Sequence, residues 1–192
     1  MRIGKEQRKT KETDISVEWN LDGNGKCSID TGIGFFDHML ELLAFHGRFD
    51  LTVRCKGDLK VDGHHSIEDI GIVLGKLFYK LIGDKKGIAR YASVCVPMDE
   101  SLARTVIDVS GRPYLVYNGI VKDKIGEFDT ELIEEFFRAF ATYGMITLHI
   151  EILYGSNAHH KAEAAFKAFA RALSAAVKIT GDTVLSSKGM LE

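Results

Sequence analysis

The sequence has few of the residues that mark secreted, disulfide-stabilised or membrane-spanning proteins. Its 192 residues include only two prolines and one tryptophan. The three cysteines, Cys27, Cys55 and Cys95, are odd in number and widely spaced, which fits reduced cytoplasmic thiols rather than a disulfide framework. No run of about 18 apolar residues occurs, so no membrane span is expected. The N-terminus has no apolar stretch after its charges, and we expect no secretion signal.

Neither sign of charge is in clear excess. The chain carries 27 acidic residues against 25 Lys and Arg residues, a formal net charge of −2. Because proteins that bind the phosphate backbone usually have a strong basic excess, nucleic acid is not an expected partner. The only basic run lies in residues 2–11, is interrupted by Glu6, and is predicted to be a solvated N-terminal arm.

What the chain does contain is the composition of a folded domain. Hydrophobic residues make up 45% of the sequence and charged residues 27%, which excludes a disordered or low-complexity protein. At about 150 residues per domain, the length predicts one domain or two small halves with a common core.

Hydrophobic periodicity predicts a mixture of strands and helices. The predicted strands are residues 12–19, 26–30, 49–55, 90–97, 102–109, 114–121 and 146–153. The predicted helices are residues 34–46, 64–82, 129–143 and 159–178. Glycines at positions 47 and 144 end the first and third of these helices.

The same order of elements occurs twice, which indicates an internal repeat. At an offset of 97 residues, His38 corresponds to Glu135. At an offset of 95 residues, a His-His-x-x-Glu motif at residues 64–68 corresponds to a second one at residues 159–163. We therefore expect a single α/β (α+β) domain over residues 1–192. It would contain two β–α–β–α half-domains that share one core, with sheets packed on helices, at about residues 1–88 and 89–192.

The doubled His-His-x-x-Glu motif is the strongest chemical signal. On a helix, His64 and His65 each lie within about 60° of Glu68, whereas the two histidines diverge by about 100°. Histidines splayed in this way are poorly placed to bind one ion together but can serve two ions. Imidazole with carboxylate suits Mn, Fe, Zn or Ni better than Ca or Mg. A single copy would be explained equally well as an exposed helix start, where the helix dipole favours Glu.

Eight residues are thus candidate metal ligands, enough for two ions with open coordination positions, as a catalytic site requires. His38 lies in an apolar stripe, where a lone histidine is more often a core residue, but its repeat counterpart is also able to ligate. The eight candidates are His38, His64, His65, Glu68, Glu135, His159, His160 and Glu163.

For other polar residues, the sequence leaves the choice between a functional role and an ordinary surface position open. Cations and hydroxyls near strand ends, on the last helix and in the C-terminal tail could bind phosphate, or they could be ordinary surface residues. These candidates are Arg90, Arg112, Lys167, Ser186, Ser187 and Lys188. Glu12 and Glu100 could be general acids or bases, and nothing in their local sequence distinguishes them from surface carboxylates.

Four ordered segments resemble the imidazoleglycerol-phosphate dehydratase family. They are TGIGFFDHML at 31–40, DGHHSIED at 62–69, HHKAEA at 159–164 and SSKG at 186–189. The similarity runs from about Glu12 to Gly189, nearly the whole chain. It implies a lyase of histidine biosynthesis that removes water from D-erythro-imidazole glycerol phosphate, giving imidazole acetol phosphate.

The resemblance also implies a cofactor and an assembly. Two manganese ions per active site would be held by the eight His and Glu residues named above. Glu135 stands where the family frequently has His, and glutamate can still bind manganese. The family forms an octahedral shell of trimers, so a homo-oligomer of 24 subunits with metal sites at subunit interfaces is expected.

Residue roles follow from the same resemblance. Glu12 would be the acid/base near the reacting carbons, and His46 would line the same pocket. The ligand residues other than Glu135 would also contact the substrate. Arg90, Arg112, Lys167, Ser186, Ser187 and Lys188 would hold it chiefly by its phosphate. Leu185 stands where Pro often precedes the two serines.

The chemistry of this substrate explains the need for two cations. The hydrogen to be lost lies on a carbon with no adjacent carbonyl group, so simple deprotonation is difficult. Two metals on the ring nitrogens would stabilise an imidazolate, which expels the neighbouring hydroxyl group. Glu12 would then remove the next proton, and the resulting enol becomes the ketone.

Three other functions remain open at this point. A di-iron carboxylate protein would place its ligands in an all-helical bundle, which the predicted strands disfavour. A two-metal phosphohydrolase would release inorganic phosphate, whereas a dehydratase retains it and forms a ketone. A non-enzymatic metal-binding assembly protein would bind manganese without turning over this substrate.

Overall fold

A computed structural model of the chain describes residues 1–119, 123–189 and 191. The first half contains β1 (Ile3–Lys9), β2 (Thr13–Asn20), β3 (Cys27–Asp30), α1 (Gly34–Gly47), β4 (Asp50–Gly57) and α2 (His64–Ile82). The second half contains β5 (Tyr91–Met98), β6 (Ser101–Asp108), β7 (Tyr114–Asn118), β8 (Lys124–Ile125), β9 (Phe128–Asp129), α3 (Glu131–Gly144), β10 (Thr147–Tyr154) and α4 (Ala158–Ala176).

Each half forms a four-stranded sheet of the same topology. The strand orders are β1-β2-β4-β3 and β5-β6-β10-β7. In each sheet the last pair is parallel and the other neighbours are antiparallel. The repeated unit is therefore β-β-β-α-β-α, longer than the predicted β–α–β–α unit. The α/β class with sheets packed on helices is confirmed.

The N-terminal segment that we predict to be a solvated arm is instead the edge strand β1, so that prediction is wrong. It pairs with β2 from Ile3 opposite Asn20 to Lys9 opposite Asp14. Its inward face carries no large apolar side chain: Arg8 lies 2.8 Å from Asp69 of α2. The apolar alternation by which strands are recognised is therefore missing.

Smaller differences concern element ends. Strand β7 ends at Asn118 rather than 121 within the described residues, and residues 120 and 121 of the predicted strand lie outside them. Helix α3 begins at Glu131 rather than 129, because Asp129 belongs to β9 of a short hairpin with β8 and Thr130 is the N-cap residue of the helix.

The four helices lie between the two sheets and pair across the halves: α1 packs on α4, and α2 packs on α3. Phenylalanines from both halves meet in this layer. Phe36 of α1 and Phe136 of α3 have ring centroids 5.3 Å apart, and Phe78 of α2 lies 5.6 Å from Phe140 of α3. The halves consequently share one core, and residues of either half can meet at a common site.

Helices α2 and α3 approach closely because glycines face the contact. A Cβ atom on Gly71 would lie 2.8 Å from the carbonyl oxygen of Phe136, and one on Gly75 would lie 2.8 Å from that of Phe140. Gly71 faces Phe136, and Gly75, one turn later in α2, faces Phe140, one turn later in α3. The two helices therefore run parallel.

Gly71→Ala is expected to destabilise the fold by about 1–3 kcal/mol, because the added methyl group would force two backbones apart. Chemical denaturation with urea measures this loss. Gly34→Ala is the helical control, since a Cβ there meets nothing within 4 Å, and its effect should stay within about 1 kcal/mol. Equal stabilities of the two variants would contradict the close packing.

Candidate functional site

The N-terminal ends of all four helices described above lie at one end of the helix layer. The ring of Phe35 at the start of α1 lies 5.2 Å from that of His159 at the start of α4. A Cβ on Gly63, before α2, would lie 3.1 Å from Ile33 and 3.4 Å from Leu132 of α3. Both His-His-x-x-Glu motifs are thus at the same end of the molecule.

The α1–α4 cluster, formed by His38, His159 and Glu163, is the tighter of two groups of candidate ligands. The Nε2 atoms of His38 and His159 lie 3.1 Å and 2.9 Å from the same carboxylate oxygen, Oε1 of Glu163. The three ligand atoms all lie within 4.8 Å of one another. Two nitrogens and one oxygen form a donor set that suits manganese, iron, zinc or nickel. His38 belongs to one half of the chain and the other two residues to the second half.

Glu163 is buried and ionised. Burial by itself would raise the pKa of its carboxyl group, but hydrogen bonds from Lys167, His38 and His159 outweigh burial and lower the pKa to about 2. The ammonium group of Lys167 lies 2.5 Å from Glu163 Oε2 and also contacts the sulfur of Met98 at 3.2 Å. The negative charge that a divalent cation would need is therefore already present.

The α2–α3 group, formed by His64, Glu68 and Glu135, is the repeat counterpart of that cluster. His64 Nε2 and Glu68 Oε2 are 4.0 Å apart. The parallel register of α2 and α3 places Glu135 at the level of the first turns of α2. In this structure the Glu135 carboxylate lies 3.9 Å from Arg138 of its own helix. The group is looser than the α1–α4 cluster.

In the second histidine of each motif, Nδ1 lies within hydrogen-bonding distance of a carboxylate. His65 Nδ1 lies 3.0 Å from Asp58, and His160 Nδ1 lies 2.7 Å from Glu100. Each hydrogen bond raises the pKa of its histidine. A histidine that donates from Nδ1 presents the lone pair of Nε2 outward, as metal ligation requires. Neither Asp58 nor Glu100 belongs to the motif, so the sequence does not single out Asp58 and leaves the role of Glu100 open.

Side-chain caps fix the motifs at their helix ends. Asn157 accepts hydrogen bonds from the amides of His159 and His160 at 2.8 Å and 3.2 Å, and Asp62 accepts one from the amide of His64 at 2.8 Å. Asn and Asp before a helix are readable as caps from the sequence. The caps hold the backbone from which both imidazoles of each motif project.

Glu12 lies near the first motif, and His46 lies about two turns further along α1 than His38. Glu12 is exposed in the β1–β2 turn, with Oε1 3.9 Å from His65 Nε2. His46 is eight residues beyond His38 on α1, a rise of about 12 Å. Burial lowers the pKa of His46, and the cations Lys167 and Arg171 lower it further.

The remaining predicted substrate-binding residues form a separate cleft of about 580 Å³. It is lined by Arg90, Tyr91, Arg112, Ser186, Ser187, Lys188 and Leu191. The Arg90 guanidinium donates hydrogen bonds to Asp108 at 2.7 Å and to the carbonyl oxygen of Leu185 at 2.6 Å. It therefore holds the C-terminal tail against the sheet. Arg112 is exposed at the rim. Cations and hydroxyls that line one cleft can bind a phosphate group.

This cleft, called the phosphate cleft after the role predicted for its residues, lies at the opposite end of the chain from the α1–α4 cluster. The amide of Arg90 donates to the carbonyl oxygen of Ala176 at the C-terminal end of α4, at 2.8 Å. His160 lies at the N-terminal end of the same helix, about 24 Å away at a rise of about 1.5 Å per residue. Within one chain, Lys167 is therefore the one predicted phosphate-binding residue that the described structure places beside the α1–α4 cluster, whereas the residues of the cleft lie far from it.

Fold and site together define a class: duplicated α/β proteins whose helices, paired across the halves, present histidine–carboxylate clusters of the kind that divalent cations bind. The sequence model of the family described as imidazoleglycerol-phosphate dehydratase matches residues 31–173. Proteins named imidazoleglycerol-phosphate dehydratase from an Exiguobacterium strain and from Clostridioides difficile are 58% and 57% identical, with all of each chain covered. The chain belongs to the imidazoleglycerol-phosphate dehydratase family and is an enzyme of the hydro-lyase class.

Solved structures agree with this assignment. The imidazoleglycerol-phosphate dehydratase of Staphylococcus aureus has a TM-score of 0.82 at 46% identity, over 92% of this chain and 99% of its own. The enzyme of Pyrococcus furiosus, solved in complex with (S)-C348, has a TM-score of 0.85 at 38% identity, over 96% and 99%. The two sheets also rule out an all-helical di-iron bundle. In the described part of the chain, no helix is long and apolar enough to cross a membrane.

Proposed function

We propose that this chain removes water from imidazole glycerol phosphate to give imidazole acetol phosphate, a step of histidine biosynthesis. The observation that carries the proposal is the α1–α4 cluster, in which His38 from one half meets His159 and Glu163 from the other. Small-molecule biosynthesis and three free cysteines fit a cytoplasmic location, which is part of the proposal.

A product assay tests this function against a phosphohydrolase. The purified protein is incubated with Mn²⁺ and imidazole glycerol phosphate and followed by ¹H and ³¹P NMR. We expect a new ketone that keeps its phosphate ester. Release of inorganic phosphate without a ketone would replace the proposal with a two-metal phosphohydrolase, and manganese binding without turnover would indicate a non-enzymatic protein.

The cofactor that we propose is two manganese ions per active site. His38, His159 and Glu163 would belong to one ligand set, and His64, Glu68 and Glu135 to the other. His65 and His160 would add their Nε2 atoms, which point away from the carboxylates on Nδ1. When bound, such ions act as Lewis acids that stabilise negative charge on the substrate's imidazole ring.

Glu12 is the residue that we propose for proton transfer. Its carboxylate is exposed in the turn between β1 and β2 and lies 3.9 Å from His65 Nε2, beside the candidate ligands. A carboxylate there can accept a proton from the substrate carbon chain next to the ring.

Lys167 holds Glu163 in its ionised form, which keeps that carboxylate available as a ligand.

The active site is proposed to be completed by a neighbouring subunit. Within one chain about 24 Å of helix α4 separate His160 from the phosphate cleft, far more than one small substrate spans. A second copy that docks its cleft against the helix N-termini would bring the two parts together. This requirement supports the expected homo-oligomer, a shell of 24 subunits built from trimers, and light scattering measures its mass.

Mixed assemblies test the shared site. His160→Ala lacks a candidate ligand, and the double variant Arg112→Ala/Lys188→Ala lacks cleft cations. If the cleft and the ligands of one site come from different subunits, a site in a mixed assembly is intact when its ligands come from the cleft variant and its cleft from the ligand variant. In an equal mixture that assembles at random, this restores up to about one quarter of wild-type activity. Activity equal to the mean of the two separate variants would show that each chain holds a whole site.

Lys188→Ala is expected to raise KM for the phosphorylated substrate about 10–150-fold and to change kcat much less. The reason is the loss of one charge-assisted contact to phosphate, which is worth about 1.5–3 kcal/mol. Steady-state kinetics at saturating Mn²⁺ measure the effect. Lys86→Ala, an exposed lysine that does not line the cleft, is the control; a KM equal in both variants would remove the tail from the site.

A further inference from the structure

The two halves carry a glutamate at the same place in the fold but give it different partners. Glu12 directly precedes β2, and Glu100 directly precedes β6, so each lies in the turn between the first two strands of its sheet. A buried hydroxyl residue follows in each case, Thr13 and Ser101. Glu12 and Glu100 are therefore repeat counterparts.

Glu100 joins the turn to the start of α4. Its Oε1 accepts hydrogen bonds from the backbone amides of Asn157 at 2.8 Å and Ser156 at 3.1 Å, and from the Ser101 hydroxyl at 3.0 Å. Its Oε2 lies 2.7 Å from His160 Nδ1. One carboxylate thus holds the loop, the residue that caps α4 and the imidazole of a candidate ligand.

Glu12 has none of the corresponding contacts. Among the hydrogen bonds of the described residues, none joins its side chain to the loop that precedes α2. It faces the opposite ring nitrogen of His65, with 3.9 Å between Oε1 and Nε2. His65 Nδ1 is instead held by Asp58, at 3.0 Å.

Loop length explains the difference. Six residues, 58–63, connect β4 to α2, and this loop supplies its own carboxylate, Asp58. Only three residues, 155–157, connect β10 to α4, and none of them is acidic. The short loop runs against the neighbouring turn: a Cβ on Gly155 would lie 2.1 Å from the Ser101 hydroxyl oxygen. The carboxylate for His160 has to come from that turn.

We propose that Glu100 is a positioning residue for the metal centre, whereas its counterpart Glu12 keeps a carboxylate available for the reaction. Glu100 holds His160 in the tautomer that protonates Nδ1 and aims the Nε2 lone pair outward, and Asp58 does the same for His65. This inference rests on the proposed function for its metal, and it assigns different tasks to two residues that duplication made equivalent.

Manganese affinity separates the two tasks. Free Mn²⁺ is measured by its EPR signal while the metal-free protein is titrated. We expect Glu100→Gln to weaken the apparent Kd about 10–100-fold, because a partner that orients a ligand contributes that much to metal affinity. Asp58→Asn should show a similar loss. Glu12→Gln, the matched control at the equivalent position, should bind Mn²⁺ within about twofold of wild type.

Turnover then distinguishes positioning from chemistry. At saturating Mn²⁺, Glu100→Gln should recover most of the wild-type kcat, and Glu12→Gln should not. Wild-type Mn²⁺ affinity in Glu100→Gln, or a kcat that excess Mn²⁺ does not restore, would overturn the proposal. Glu100→Asp keeps the charge and should lie between wild type and Glu100→Gln in affinity; it carries the same test if the glutamine variant does not fold. An inactive wild-type protein would refute the dehydratase function, while the Mn²⁺ titration still decides the role of Glu100.

Discussion

His159→Ala is expected to lose stoichiometric manganese and to lower dehydratase turnover by at least about 100-fold, while the protein stays folded. The imidazole supplies one of the three ligand atoms of the α1–α4 cluster, 2.9 Å from Glu163 Oε1. Loss of a direct ligand should cost no less than loss of a residue that orients one. The side chain is half-exposed, so its removal leaves no large cavity. Metal analysis, the NMR assay and thermal unfolding measure the three quantities.

His149→Ala is the matched control for this variant. His149 is an exposed histidine on β10, outside both groups of candidate ligands. Metal content and turnover should remain at wild-type values in this control. Full manganese occupancy together with normal turnover in His159→Ala would contradict the ligand assignment, and loss of the fold would show that the cluster is needed for stability.

Glu12→Gln is expected to lower kcat by about 10²–10⁴-fold without a loss of bound manganese. The amide keeps the size of the side chain but cannot take a proton, and a positioned acid/base typically contributes a factor of this order. Kinetics at saturating Mn²⁺ measure kcat, and metal analysis of the same samples measures occupancy.

Lys11→Gln provides the control in the same turn, because Lys11 is exposed and adjacent to Glu12 in sequence. Its kcat should equal that of wild type. If Glu12→Gln retains a kcat within about threefold of wild type, proton transfer belongs to another group. If it loses manganese as well, Glu12 is a ligand and not an acid/base.

The duplicated fold explains why the candidate ligands of one cluster come from both halves. Helix α1 packs on α4 and α3 packs on α2, so the first turns of α1 and α3 lie beside the motif-bearing helix of the other half. His38 meets Glu163 in this way, and Glu135 has the equivalent place opposite α2. Each group of candidate ligands therefore draws on both halves of the chain.

Most of the fold was predictable because its helices and inner strands follow simple periodicities. The sequence predicts helix α2 at residues 64–82, and the helix spans His64–Ile82. Strand β1 was not predictable in this way, since its inner face is fixed to α2 by ion pairs such as Arg8 with Asp69. Polar contacts between segments distant in sequence leave no periodic signal.

The candidate ligands were predictable for a different reason. His-His-x-x-Glu is a local pattern, and the internal repeat places Glu135 at the position equivalent to His38. Asp58 carries no such pattern, and Glu100 could not be told from a surface carboxylate. Their tasks depend on how long each loop is and on which turn lies beside it.

The sequence by itself determined the composition of the site, the helices that carry it and the family, because residue types and short-range periodicity are written along the chain. The tertiary structure decided which of these residues meet. It paired α1 with α4, placed Glu100 on His160 through a three-residue loop, and separated Arg90 from His160 by the length of a helix. Such distances arise from packing between segments far apart in the chain, which no local pattern encodes.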